Sequence, residues 1–243
     1  MQHTMNYMEH NYGRQLFFLI RLLSAFVAAV LYASAPAFGS GDRPQEAADS
    51  VQYYSDVSHL LALRLYTMTK WNSLEILSDQ SRLILRPNGP TALGLGFNYK
   101  SLGLGLAIGL PKSQGSIDRY GKTRRFDVQA NVYGKKIGID GFLQIYQGYY
   151  NSNPSDLIEW EDETLPQIHD MRILSLGGSA FYIINDKTFS YKAAFVRNQI
   201  QRKSAGSPLV GVFGYHDQAD TPNGFIPLEY PDSIRNAFNL KAF

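Results

Sequence analysis

The chain has 243 residues with a formal net charge of +2, no cysteine, 16 tyrosines, 14 phenylalanines and 21 glycines. That length suits one substantial domain, and the charge is spread along the chain, so the basic stripe of a nucleic-acid binder is absent and nucleic acid is not an expected partner. Without cysteine there is no disulfide, thiolate metal site or cysteine nucleophile.

Arg14 and Arg21 precede an apolar, small-residue run from Leu22 to Ala35, and Ala37, Phe38 and Gly39 follow as a cleavage site. This order predicts a secretory signal peptide over residues 1–39, with an uncleaved anchor as the alternative. Residues 40–58 read as a polar segment leading into a β-domain over 59–243. After Ser50 no run approaches the ~20 apolar residues of a transmembrane helix. Insertion into a membrane would therefore have to use strands.

Strand signals begin near Leu60, Trp71 and Ser81. The next segments are clearer. Leu93, Leu95, Phe97 and Tyr99 alternate with Gly94, Gly96 and Asn98, and beyond a two-residue turn at Lys100 and Ser101 the parity switches to Leu102, Leu104, Leu106 and Ile108. A hairpin there places Phe97 opposite Leu104, Leu95 opposite Leu106 and Leu93 opposite Ile108, with glycines opposite glycines on the other face. A second hairpin sets Phe126, Val128, Ala130 and Val132 against Ile137, Ile139, Leu143 and Ile145, leaving Asp127, Gln129, Asn131, Asp140 and Gln144 on the opposite, polar face. A third is expected to turn at Asn185 and Asp186, with Tyr182 facing Phe189 and Ala180 facing Tyr191. Strand candidates at Pro208 to His216 and Ile234 to Phe243 complete the series.

From Leu93 onward the connections alternate: short at Lys100, long over 111–122, short at Gly134, long over 148–170, short at Asn185. Tight periplasmic turns and longer external loops produce this rhythm in outer-membrane barrels. The expected fold is thus all-β, an antiparallel up-and-down outer-membrane β-barrel of about 10–12 strands following a signal peptide. Asp127, Gln129, Asn131, Asp140 and Gln144 face its lumen, and outer-membrane lipid and the barrel-assembly machinery are its partners.

Several stretches together resemble a family of envelope β-barrels from Bacteroidetes, of the domain-of-unknown-function 4421 type. They are Tyr53-Tyr54 leading into Leu63-Arg64-Leu65-Tyr66, Arg86-Pro87-Asn88, Tyr133-Gly134-Lys135-Lys136, the Tyr146 to Tyr150 segment with Gly148, Phe189 to Phe195, and Lys203-Ser204-Ala205-Gly206-Ser207. The resemblance implies an exported barrel-like protein, with members continuing beyond the position of Phe243, and carries over no catalytic, cofactor or metal residue.

Other chemistry has weaker support. Asp127 and Asp140, on one face of adjacent strands, could act as an acid/base pair or stand as lumen charges paired with Arg64, Lys100 or Lys192. His169-Asp170 and His216-Asp217 place a carboxylate beside an imidazole, but neighbours on a strand point to opposite faces. His59 stands alone. Glu159, Glu161, Asp162 and Glu163, with Asp156, lack the spacing and central glycine of an EF-hand and read as a solvated external loop. Gly94-Leu95-Gly96 and Gly103-Leu104-Gly105 continue at strand periodicity and do not cradle phosphate. The expected role is non-enzymatic: structural, binding or narrow-pore. An envelope enzyme acting on lipid or polymer, and a soluble periplasmic barrel with an apolar interior, are the alternatives.

Overall fold

The computed structural model describes residues 53–234 apart from 58, 79, 80, 197, 198, 228, 229 and 232. The expected signal peptide, most of the polar segment 40–58 and all but the first residue of the Ile234–Phe243 strand candidate lie outside the described residues.

The described residues are all-β in character, with antiparallel sheets. A meander runs through β2 (Ala62–Thr69), β5 (Thr91–Tyr99), β6 (Leu102–Gly109), β7 (Arg124–Tyr133), β8 (Ile137–Asn151), β9 (Gln167–Ile183) and β11 (Leu209–Asp220). Each pairs antiparallel with the next, and β2 and β11 are the two edges among the described residues. A separate two-stranded sheet joins β1 (Tyr54–Asp56) to β10 (Gln199–Gln201).

The first two expected hairpins form in the expected register. Phe97 pairs with Leu104, Leu95 with Leu106 and Leu93 with Ile108, around a turn in which Lys100 takes a φ of 54°. Primed hairpin turns require such a positive φ, because it matches the right-handed twist of the flanking strands. Phe126 pairs with Ile145, Val128 with Leu143 and Val132 with Ile139.

Three expectations are corrected. Residues after Asn185 and Asp186 do not return as a strand: Tyr182 pairs instead with Ile137 and Val210, and Tyr191–Phe195 is a helix. Ser190 caps it by accepting from Ala193 N, and Tyr191 stacks on Phe195 one turn later at 4.4 Å between ring centroids. Residues four apart are neighbours on a helix surface, so this pair supports the helical turn. Secondly, the segments near Trp71 and Ser81 are not sheet strands of the meander. They form a short hairpin, β3 (Leu74–Ser78) and β4 (Ser81–Arg86), that touches the main sheet only where Leu85 and Arg86 meet Asn151 and Tyr150. Thirdly, the connection expected over 148–170 is shorter, 152–166, because β8 and β9 run to 15 and 17 residues and take up both its ends.

The two ends of the meander differ. One carries the turns at Lys100 and Gly134. The other carries the β3–β4 hairpin, helix α1 (Gln114–Tyr120) and a 3-10 turn at Pro154–Asp156. Asn88 fastens α1 down, its Nδ2 donating to the carbonyls of Ser116 at 3.0 Å and Gly121 at 2.8 Å. The apolar core gathers at this long-loop end, where Ile76, Leu83, Leu85, Tyr146, Tyr149 and Met171 pack with Ile226 and Tyr230. Asn151 Nδ2 donates to Tyr230 OH at 2.6 Å inside it.

Candidate functional site: the polar inner face of the sheet

Strand alternation sorts the meander into two faces that differ in chemistry. One face reads, row by row across the register, Leu65, Leu95, Leu106, Val128, Leu143 and Leu176. Much of it is exposed: Leu65 by 69%, Leu95 by 67% and Ile108 by 61%. The opposite face carries the polar side chains and is the covered one. Asp127 is 1% exposed and Arg125 5%.

The inner face is concave. Lys70, directly after β2, donates to Asp127 on β7 with Nζ to Oδ1 at 2.6 Å. In the sheet order β5 and β6 lie between those strands, so a flat sheet would hold them about 14 Å apart at the usual spacing near 4.8 Å. Met68 likewise reaches across, with its sulfur 3.3 Å from Arg125 Nη2. The sheet therefore curls with its polar side inward.

Three successive rows describe the interior. The first runs Tyr66, Gly94, Ala107, Asp127, Gln144 and Ser175; the second Arg64, Gly96, Gly105, Gln129, Phe142, Gly177 and Tyr215; the third Asn98, Gly103, Asn131, Asp140 and Ser179. All five residues expected in the lumen, Asp127, Gln129, Asn131, Asp140 and Gln144, lie in these rows. Small residues occupy β5 and β6 because large ones from β2 and β7 lie over them. A Cβ added at Gly105 would stand 2.8 Å from the Tyr66 hydroxyl, and one at Gly96 would stand 3.3 Å from the Arg64 guanidinium.

The two carboxylates do not form an acid/base pair. Asp127 is claimed by Lys70 at 2.6 Å and by Arg125, whose Nη2 and Nε donate to Oδ2 at 2.8 and 3.0 Å. Arg125 also donates to the carbonyl of Pro90 at 2.5 Å. Asp140, two rows away, accepts from the Tyr133 hydroxyl and from Ser179 Oγ, the latter at 3.4 Å. The expected partners Arg64, Lys100 and Lys192 make neither contact. Arg64 lies over the Tyr66 ring at 5.0 Å, and Lys192 Nζ donates to Ser101 Oγ at 3.0 Å.

The interior is stoppered at the short-turn end by α2 (Tyr191–Phe195). Tyr191 packs against Tyr133 and Phe181 at 4.9 and 4.7 Å between ring centroids, and Asn98 Nδ2 donates to Val196 O at 3.4 Å. Burial pushes Lys192 below the usual lysine value, with Asp56 opposing the shift. Beside the helix, against Phe195 and Val196, is a cavity of about 390 Å³ lined also by Arg64, Lys70, Asn98, Gln129, Asn131 and Asp140.

Arg125 and Lys70 were absent from the expected lumen set, although both continue its parity: Arg125 precedes Asp127 by two, and Lys70 follows Arg64, Tyr66 and Met68 in phase. The other candidates sit apart from the interior. His169 and His216 are exposed, and Asp170 accepts from Asn223 Nδ2 at 2.6 Å. Glu159, Glu161, Asp162 and Glu163 are exposed around Trp160, in the connection between β8 and β9. Among the described residues no three His, Asp or Glu side chains gather as a metal site, and no helix is long and apolar enough to cross a membrane.

A family model described as a domain of unknown function, DUF4421, matches residues 47–243. No curated protein and no solved structure matches the chain. The match takes in the whole meander, its polar inner face and the cap, and the chain belongs to the DUF4421 family.

Proposed function

We propose that this chain is a non-enzymatic outer-membrane β-barrel protein, whose curled meander forms the barrel wall and whose stoppered polar interior serves a structural or binding role. The observation that carries the reading is the sidedness of the sheet. Its apolar face is turned outward and its charged face inward, the reverse of what water selects. An aliphatic side chain left in water forgoes about 1.5–3 kcal/mol relative to burial, and here whole rows of them are left. Lipid hydrocarbon is the surrounding that makes such a face favourable. A soluble barrel with an apolar interior requires the opposite arrangement.

Three further features agree. Trp71, 87% exposed, follows β2 at the long-loop end, while Tyr99 and Tyr182 are exposed at the short-turn end. Aromatics at both rims match interfacial girdles. Strand β7 has 10 residues, within the span of a tilted transmembrane strand. The leader over residues 1–39 supplies the export that such a location needs.

Direction bears on closure. Counting along the antiparallel path, β2 and β11 are the first and seventh strands and run the same way, so they cannot pair antiparallel with each other. A closed antiparallel wall of the proposed kind would need an odd number of strands besides these seven, which would give the even total usual for bacterial single-chain barrels. Because α2 fills one end and the apolar cap the other, an open pore is disfavoured against a closed or ligand-holding interior.

The absence of cysteine makes a direct test possible. Single cysteines at Leu95, Val128 and Leu143, and in parallel at Gln129 and Gln144, would be introduced into the full chain expressed with its leader. In isolated outer membranes, the first set should react with a lipid-dissolved maleimide and resist a water-soluble one, and the folded band should shift in gel mobility on boiling. Recovery in the soluble periplasmic fraction, or equal aqueous labelling of both faces, would overturn the reading.

A further inference from the structure

The interior contains hydrogen-bond donors with nothing to donate to, and they converge. Tyr66 OH and Asn131 Nδ2 are buried without a partner among the described residues. Beside them Arg64, itself exposed, engages the Tyr66 ring face at 5.0 Å and forms no ion pair among the described residues. All three lie over one glycine floor on the β5–β6 hairpin. Added Cβ atoms at Gly96 and Gly105 would touch Arg64 and Tyr66, and one at Gly103 would meet Asn131. Gln129, also lining the cavity, donates only to the Met68 sulfur at 3.9 Å.

The carboxylates nearby are already engaged. Asp127 holds Lys70 and Arg125, and Asp140 holds Tyr133 and Ser179. Of the charged side chains lining the cavity, Lys70 is paired with Asp127, Asp140 accepts only from the neutral hydroxyls of Tyr133 and Ser179, and Arg64 is the cation that forms no ion pair among the described residues. A native fold keeps buried, unmatched donors where something else completes them. A guanidinium and a carboxamide NH₂ only donate, and a phenol hydroxyl can donate beside them, so a group of acceptors bearing negative charge complements the set.

We infer that the inner face holds a small oxyanion, a carboxylate or phosphate group, on Arg64, Tyr66 and Asn131 above the floor formed by Gly96, Gly103 and Gly105. The planar guanidinium fork takes two oxygens of the anion, the Tyr66 hydroxyl and Asn131 amide donate to what remains, and the rest of the ligand extends into the adjoining 390 Å³ cavity, which Arg64 and Asn131 also line. The inference deepens the binding role proposed above, and it rests on the concave polar face whatever surrounds the outer one.

The test is titration calorimetry on the full chain refolded in detergent, with inorganic phosphate in one arm and acetate in the other. Binding of at least one anion is expected, and the stronger arm identifies tetrahedral or planar geometry. Arg64→Gln should weaken it about tenfold or more, the loss of one charged contact, whereas Arg64→Lys should retain part of it. Tyr66→Phe, which keeps the ring and deletes the hydroxyl, should weaken it severalfold and serves as the deciding variant if Arg64→Gln does not refold. The inference is overturned if neither anion binds the natural chain, or if the deciding variant binds as tightly as the natural chain. Either result would leave the cysteine-labelling outcome, and with it the barrel-wall reading, untouched.

Discussion

Lys70 and Asp127 lie 57 residues apart in the chain and meet at 2.6 Å across the concave face, where Arg125 holds the carboxylate's other oxygen at 2.8 Å. The contact ties an edge strand to the middle of the sheet. It also sets two cations on one carboxylate that is 1% exposed, so the cluster's stability depends on the central charge. Asp127→Ala leaves Arg125 buried and uncompensated and should cost about 3–5 kcal/mol. Lys70→Met should cost less, because Lys70 is partly exposed and Arg125 continues to neutralise Asp127. Urea unfolding of the refolded chain would rank the two; equal losses would show that the aspartate is not the centre of the cluster.

Gly138 pairs with Phe181 on the inner face, and an added Cβ would fall against the Phe181 ring, with Cε1 at 2.8 Å. The neighbouring strand's ring occupies the space a side chain would take. Gly138→Ala should therefore destabilise by about 1–3 kcal/mol through overpacking. The penalty should shrink in a Phe181→Ala background, since the nearest atoms all belong to that ring. A double-mutant cycle with no coupling would contradict the stated packing.

How much of this was legible beforehand depended on whether a segment had one reading or two. The hairpins at Lys100 and Gly134 were legible because Leu93 to Ile108 and Phe126 to Ile145 alternate for long enough to exclude helical periodicity. The same alternation placed Asp127, Gln129, Asn131, Asp140 and Gln144 together on the inner face. Tyr191 to Phe195 was ambiguous: five residues satisfy period two and i, i+4 equally, and the choice is made by tertiary partners, Tyr133 and Phe181, that sequence spacing does not reveal. The β3–β4 hairpin failed for a related reason. Ile76, Leu83 and Leu85 pack into the cap, and a strand that buries its face there alternates just as a wall strand does. The contact of Lys70 with Asp127 depends on curvature, which no single strand encodes.

Lys192 gives the interior a pH dependence with a defined sign. Burial lowers its pKa from the ordinary 10.5, so the unfolded chain retains that proton over a range in which the folded chain has lost it. Stability then rises with pH between the lowered value and 10.5. The Tyr191 hydroxyl, raised by burial from the ordinary 10.0, acts oppositely above that pH, where unfolding releases a proton that the fold retains. Thermal unfolding from pH 7 to 11 should show a rise followed by a fall. Lys192→Met should remove the rise and leave the fall, and an unchanged rising limb would assign it to another group.

The outer face offers the sharpest distinction, because lipid and water respond differently to the same charge at different depths. Leu143 lies in the middle of the apolar face, between Val128 on β7 and Leu176 on β9, while Gln144 is its immediate neighbour on the inner face beside Asp127. Ile137 begins β8 at the short-turn end. If hydrocarbon surrounds the wall, Leu143→Arg should cost about 2–4 kcal/mol and Ile137→Arg about 0–1, since the penalty falls from the bilayer midplane to the interface. Gln144→Arg should be tolerated, because its new charge faces the Asp127 cluster. Unfolding measured in lipid vesicles would give all three values. In water the half-buried leucine and the exposed isoleucine would show no penalty set by depth, so a profile flat with depth would mean that the apolar face is covered by something other than a bilayer.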